Sequence, residues 1–211
     1  VSEEEIRMMV DAGSEKGTIL ATRNIQVAEG AELKVQMEPY GCARCMVITN
    51  IQNMGGKVTH YSHFFGCDWA REETVAEIYT PGSDTQLYSS NLPRNGVLDL
   101  HTKQIHHAGG ATSNLLYKNV VYEGATAIFA GNIYVAPGAH QTDAYQTNRN
   151  MLLSEKATVH SLPGLEILAD KVCCSHGSAS APMDDEQLFY LLSRGIPREE
   201  ALQLVSHGFL Q

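Results

Sequence analysis

The chain has 211 residues, 43% of them apolar, and 24 acidic against 15 basic side chains, which suits one domain with a small appendage. A net charge of −9 argues against a nucleic-acid partner or an anionic membrane surface, and no apolar run of about 18 residues exists to span a bilayer. Val1-Ser2-Glu3-Glu4-Glu5 lacks the regions of a signal peptide, and five cysteines, two of them adjacent, fit reduced thiols in a cytoplasm better than a disulfide framework.

In chain order, residues 1–16 read as a short helix and linker. Ser2 can cap it, Glu3 to Glu5 suit its positive end, Ile6, Met8, Met9 and Val10 supply apolar positions, and Gly13 stops it. From 17 to 182 the pattern changes to short alternating runs such as Leu33-Lys34-Val35-Gln36-Met37, Thr74-Val75-Ala76-Glu77-Ile78 and Asn132-Ile133-Tyr134-Val135, punctuated by Gly, Asn and Asp. Many short strands joined by turns imply a sandwich, a barrel or a parallel β-helix. The density of short runs favours the β-helix, as does the lack of an Asn-Gly hairpin between two clean strands. A stacked solenoid also tolerates irregular repeats. Residues 183–211 read as two helices: Asp184-Asp185-Glu186 opens the first, Leu188, Phe189, Leu191 and Leu192 form its stripe, Gly195 ends it, and Pro197 opens the second. Two short helices cannot bury both faces by themselves, so one side packs on the β-domain and the other can face a partner.

Cys42-x-x-Cys45, His60, His63 and Cys67 place five potential soft or borderline ligands within 26 residues. A tetrahedral zinc or iron–sulfur site needs four, so a metal-binding or metal-delivery protein is one reading, but no second CxxC completes the strong pattern. In a strand His106 and His107 point oppositely, whereas Asp99 and His101 share a face. By the same parity Cys174 shares a face with His176 and Cys173 does not. A neutral imidazole at His176 suits iron or zinc. There is no phosphate-binding Gly-x-x-x-x-Gly-Lys-Ser/Thr loop, so the chain binds no ATP of its own. Nor is there a carboxylate constellation with aromatic platforms for a β-helical carbohydrate enzyme.

The segment from Leu165 to Leu210 contains an L-E-I strand, Cys173-Cys174-Ser175-His176-Gly177, and then Asp184-Asp185-Glu186-Gln187-Leu188-Phe189-Tyr190 leading to Ser193-Arg194-Gly195-Ile196. This resembles the C-terminal signature of the SufB/SufD family, scaffold subunits of the SUF iron–sulfur cluster assembly machinery. Thr142-Asp143-Ala144 through Leu152-Leu153-Ser154 is similar to another family segment. The strongest likeness covers 115–210, and the helical domain that precedes the β-helix in full-length bacterial members is not seen, which reads as a short member or a fragment. The resemblance implies a right-handed parallel β-helix and a non-enzymatic scaffold that pairs with a SufB-type chain or with itself. It also implies a SufC-type ABC ATPase docked on the C-terminal helices through Leu188, Phe189, Leu192, Arg194 and Gly195. Iron or a nascent cluster would pass the subunit interface at His176, with Cys174 and more remotely Cys173 beside it. The cysteine of SufB-type chains falls on Asn148 here, and their His-Glu pair falls on His176 and Gly177. The Cys-Ser-His-Gly form is SufD-like.

Overall fold

The computed structural model describes residues 3–11, 17–40 and 42–211, and in it the chain winds into a solenoid of parallel strands with a helix pair on its flank. The odd strands form one sheet, in the order β1 (Glu3–Asp11), β3 (Glu32–Tyr40), β5 (Lys57–Phe65), β7 (Asp84–Leu92), β9 (Thr112–Val121), β11 (Asp143–Leu152) and β13 (Cys173–Pro182). The even strands form the facing sheet: β2 (Gly17–Val27), β4 (Cys42–Asn53), β6 (Trp69–Ile78), β8 (Val97–His106), β10 (Thr126–Val135) and β12 (Thr158–Ile167). Each coil contributes one strand to each sheet. The register sets the coil length, from Glu32 opposite Lys57 in the shortest coils to Thr126 opposite Thr158 in the longest. Of the architectures the sequence allows, the parallel β-helix with a C-terminal helix pair is the one formed.

The alternation explains the packing. Along β6 and β10 every second side chain is buried between the sheets, as period-2 geometry requires. Glycines with positive φ sit in the turns, and from Gly82 through Gly96, Gly110 and Gly124 to Gly138 they recur every half-coil. Gly96 shows why one turn demands this residue: its φ is 70°, and a Cβ there would lie 1.7 Å from the carbonyl oxygen of Asp68 in the coil below.

The N-terminal helix expected over 1–16 is not formed. Glu3–Asp11 is a strand, in parallel register with β3, Ile6 opposite Val35 and Met8 opposite Met37. The free edge of β3 offers a row of backbone hydrogen bonds that outweighs the weak helical preference of a glutamate-rich start. The segment Glu3–Asp11 is therefore part of the solenoid, which the sequence reading starts at residue 17. Ser2 and Gly13, read as the helix cap and stop, lie outside the described residues.

The buried interior carries hydrogen-bonded polar groups among its apolar side chains. Asn91 donates to Asn119 (2.8 Å), Asn119 to Asn150 (2.7 Å) and Asn150 to Ser180 Oγ (3.0 Å), a ladder through four successive odd strands. Nearer the N-terminus, buried Arg23 donates through Nη2 to Thr49 Oγ1 (2.7 Å) and to His60 Nε2 (2.8 Å). Buried Glu72 accepts from Ser62 (3.0 Å) and Thr74 (3.2 Å).

The helices are α1 (Asp185–Ser193) and α2 (Arg198–Leu210). Asp184 caps α1, its side chain accepting from the Glu186 amide at 2.9 Å, and Gly195, at φ 82°, closes the other end. Val205, Phe209 and Leu210 of α2 pack on Leu92, Val120 and Met151 of the solenoid. Lys118 Nζ donates to the Phe209 carbonyl (2.9 Å) and Ser90 Oγ to that of Leu210 (3.2 Å), tying the end of α2 to the odd sheet.

Candidate functional site

Strands β12 and β13 are the last coil, and among the described residues no strand stacks beyond them. Positions that face the core in earlier coils are therefore uncovered here: most of β12 and nearly all of β13 is exposed. The site is this open end. In the β11–β13 register Ala144 lies opposite Cys174, Gln146 opposite His176, Asn148 opposite Ser178 and Asn150 opposite Ser180. Because Ala144, Gln146, Asn148 and Asn150 are inward and buried, their partners occupy the inward face of the last strand. Cys174 and His176 thus share a face, as their spacing predicts. Cys173, opposite Asp143 and exposed, is on the outer one.

The three residues have different chemistry. Cys174 is half-buried against Ile133, Val135, Ala139 and Ala144. Burial pushes its thiol pKa up, with the negative charges of Asp143 and Cys173 acting the same way against a stabilising contact to the Ala144 backbone, so at neutral pH it is held as a thiol. His176 is exposed and makes no hydrogen bond among the described residues. Its ring is available as a ligand. Asn148 is tied down: its Nδ2 donates to the Tyr117 carbonyl (3.3 Å), and its Oδ1 accepts from Asn150 (2.7 Å) and from Ser161 of β12 (3.2 Å). It braces the end coil and offers no thiolate.

Of the residues read as an alternative metal site, the structure describes the side chains of Cys45, His60, His63 and Cys67. Cys45 and Cys67 belong to the main apolar core cluster. His60 is fully buried beside Arg23, and His63 lies on the outer face of the same strand, stacked on Phe65. Cys42 opens β4, and its side chain lies outside the described residues. Among the described residues no group of three or more His, Cys, Asp or Glu side chains is placed to hold a metal ion. The parity read for the other histidines is realised: His106 is buried against Ser113 Oγ (2.8 Å), His107 faces out to Glu77 (3.6 Å), and His101 joins Asp99 (2.8 Å) in an outer-face network with Arg71 and Glu73.

On the helix pair, Leu188 is only 5% exposed, so it is not part of the surface that α1 presents. The surface left outward is Phe189 (73% exposed), Tyr190, Leu192 and Leu204, with the Arg194 guanidinium over the Tyr190 ring at 5.2 Å. A groove of ≈ 510 Å³ runs between the helices, lined by Gln187, Tyr190, Leu191, Leu204 and Val205 among others. Sequence reading missed Tyr190 and Leu204 as surface residues, and Gln146 of β11 and Ser161 of β12 as members of the site. The signal for the last two was strand parity, counted back from Asn148 and forward along β12.

Residues 3–209 match the family described as SUF system FeS cluster assembly, SufBD core domain. The iron–sulfur cluster assembly protein SufD of Escherichia coli is 39% identical over 154 residues, 72% of this chain and 36% of that protein. Protein ABCI7, chloroplastic, of Arabidopsis thaliana is 42% identical over 131 residues (61% of this chain, 28% of the relative), and SufD of Bacillus subtilis 36% over 139 (65% and 32%). The matched regions span about a third of the length of these relatives. No described helix is long and apolar enough to cross a membrane.

Proposed function

The chain belongs to the SufBD core family of SUF iron–sulfur cluster assembly proteins, and from that premise we propose that it is a SufD-like, non-enzymatic scaffold subunit. Its open end coil pairs with a SufB-type chain, or with a second copy, through the free edges of β12 and β13. Unpaired strand edges are templates for another chain, and these two lie side by side on one end of the molecule. Iron, or a nascent cluster, is the cargo at that junction. His176 is its ligand from this side, and Cys174 lines the site as a neutral thiol. Because Asn148 stands where a SufB-type chain has cysteine, the thiolate comes from the partner. The outward helix surface of Phe189, Tyr190, Leu192 and Leu204 docks a SufC-type ABC ATPase, with Arg194 and Gly195 at its border. This chain carries no ATP.

The observation that carries the reading is the inward face of β13: a histidine at a core-facing position, left uncovered because the coil above it is missing. The test is reconstitution with SufB-type and SufC-type partners. His176→Ala should leave the complex assembled and abolish cluster formation, read by its visible absorbance under anaerobic conditions. Normal cluster yield in an intact His176→Ala complex would remove the histidine from the site.

A further inference from the structure

Three inward polar pairs join the last two odd strands, and two of them are closed. Asn150 donates to Ser180 Oγ at 3.0 Å, and Asn148 and Ser178 share Ser161, at 3.2 and 2.8 Å. The third pair, Gln146 opposite His176, is open. Gln146 is 1% exposed, yet neither its Nε2 nor its Oε1 has a hydrogen-bond partner. A buried amide is rarely left in this condition.

The space it occupies is specific. Gly131, on the facing sheet, makes room for the amide: a Cβ there would lie 2.5 Å from Gln146 Oε1. Its register neighbour on the other side is Leu115 of β9, whose side chain has no polar group. On the open side stands His176, one strand away, about 4.8 Å in a parallel sheet, and itself without a partner.

We propose that Gln146 is the positioning residue for His176. When the ring turns inward, the amide oxygen accepts one imidazole N–H. That bond selects a single tautomer and leaves the lone pair of the other nitrogen facing out of the open end, toward the metal. Histidine ligands are ordinarily oriented by such an acceptor on the second nitrogen. The inference rests on the reading of His176 as a ligand.

The experiment follows the ring nitrogens of His176 by ¹⁵N NMR in the purified chain at pH 8, with Zn²⁺ added as the probe. The unmodified chain should show one dominant tautomer. Gln146→Leu keeps the volume and removes the acceptor; it should return the ring to a tautomer mixture and weaken Zn²⁺ at His176 by about tenfold. Gln146→Glu restores an acceptor and should restore the single tautomer. Should the leucine variant fail to fold, Gln146→Asn withdraws the amide by one methylene and gives the same readout. A purely structural Gln146 would change the melting temperature and leave the tautomer alone, and a folded variant with an unchanged tautomer overturns the proposal. Zn²⁺ that never perturbs the His176 ring, while the tautomer still follows residue 146, overturns the ligand reading and leaves the positioning intact.

Discussion

Asn119 donates to Asn150 at 2.7 Å with both side chains buried, and Asn150 passes the chain of hydrogen bonds on to Asn148 and Ser180. One residue thereby stitches β9 to β13 and braces the end coil on which His176 stands. Asn150→Ala strands the Asn119 amide and releases the Asn148 oxygen, so it should cost about 3 kcal/mol, the sum of orphaned buried groups and a small cavity. Urea denaturation of the two proteins measures this. A loss below about 1 kcal/mol would mean that water or a relaxed neighbour replaces the ladder at no cost.

The turn glycines make a graded prediction. Gly96 and Gly124 share a positive φ, 70° and 77°, but only at Gly96 does an added Cβ strike backbone, at Asp68. Gly124→Ala should therefore lose about 1 kcal/mol from the left-handed conformation alone. Gly96→Ala should lose about 3 kcal/mol or more, since the coil below must move as well. Thermal melts of equal size for the two variants would contradict the close approach at Asp68.

Much of this fold was legible because strand parity is a local property. Cys174 and His176 are two apart, so they share a face in any strand. Asp99 with His101, and His106 against His107, followed from the same count. Parity does not say which face is the inside, and this is why His60 and His63 could be read as ligands of one site when β5 sends one inward and the other outward. The repeat was present in the sequence as glycines at 82, 96, 110, 124 and 138, the last three each followed by a buried alanine (Ala111, Ala125, Ala139), but Gly82 and Gly96 lack that alanine, so the pattern is only partial. The N-terminal segment was misread for a different reason. Glu3 to Val10 suits a helix cap locally, and only the edge of β3, far along the chain from β1, makes it a strand. Leu188 was correctly placed on an apolar stripe, but no sequence rule divides a stripe between a helix's own support and its partner.

Acid should weaken the fold through its buried histidines. Burial, helped by the positive neighbours Arg23 and His63, lowers the His60 pKa to about 3, and burial with His107 lowers that of His106 to about 4. Above 6.5 both rings are neutral in the folded and unfolded chain and add no pH dependence. Below it the unfolded chain takes up protons that the folded one refuses, and stability falls until the folded values are reached, by about 2 kcal/mol per ring at pH 5. Glu72 has the opposite sign. Burial raises its pKa above 4.5, against the favourable hydrogen bonds of Ser62 and Thr74 and the charge of Arg23. Its contribution is therefore complete below 4.5 and is lost as pH rises through the folded value. Denaturation midpoints between pH 5 and 7.5 should show the net acid loss, flatter in His106→Leu and steeper in Glu72→Gln. A pH profile of His106→Leu identical to that of the unmodified chain would show that the His106 ring is hydrated in the folded chain.

If the helix pair docks an ATPase as proposed, support and docking fall to different residues. Leu188 is buried, whereas Phe189, one residue on, is 73% exposed, and Leu204 of α2 is 50% exposed beside Tyr190 in the groove between the helices. Leu188→Ala removes packing from beneath α1, so it should loosen the helices and cost about 2–3 kcal/mol of stability. Phe189→Ser removes an aromatic side chain that contributes little to the free chain, so its melting temperature should barely move. At an interface the same ring is a large apolar anchor, and its loss should weaken a docked ATPase by about 2 kcal/mol, some thirtyfold. Leu204→Ser should do the same to a lesser degree. Binding is read by co-purification and by titration of the ATPase against the purified chain, with circular dichroism confirming that the helices persist. If Phe189→Ser and Leu204→Ser together leave ATPase affinity unchanged in folded protein, the outward face of the helix pair is not the docking surface.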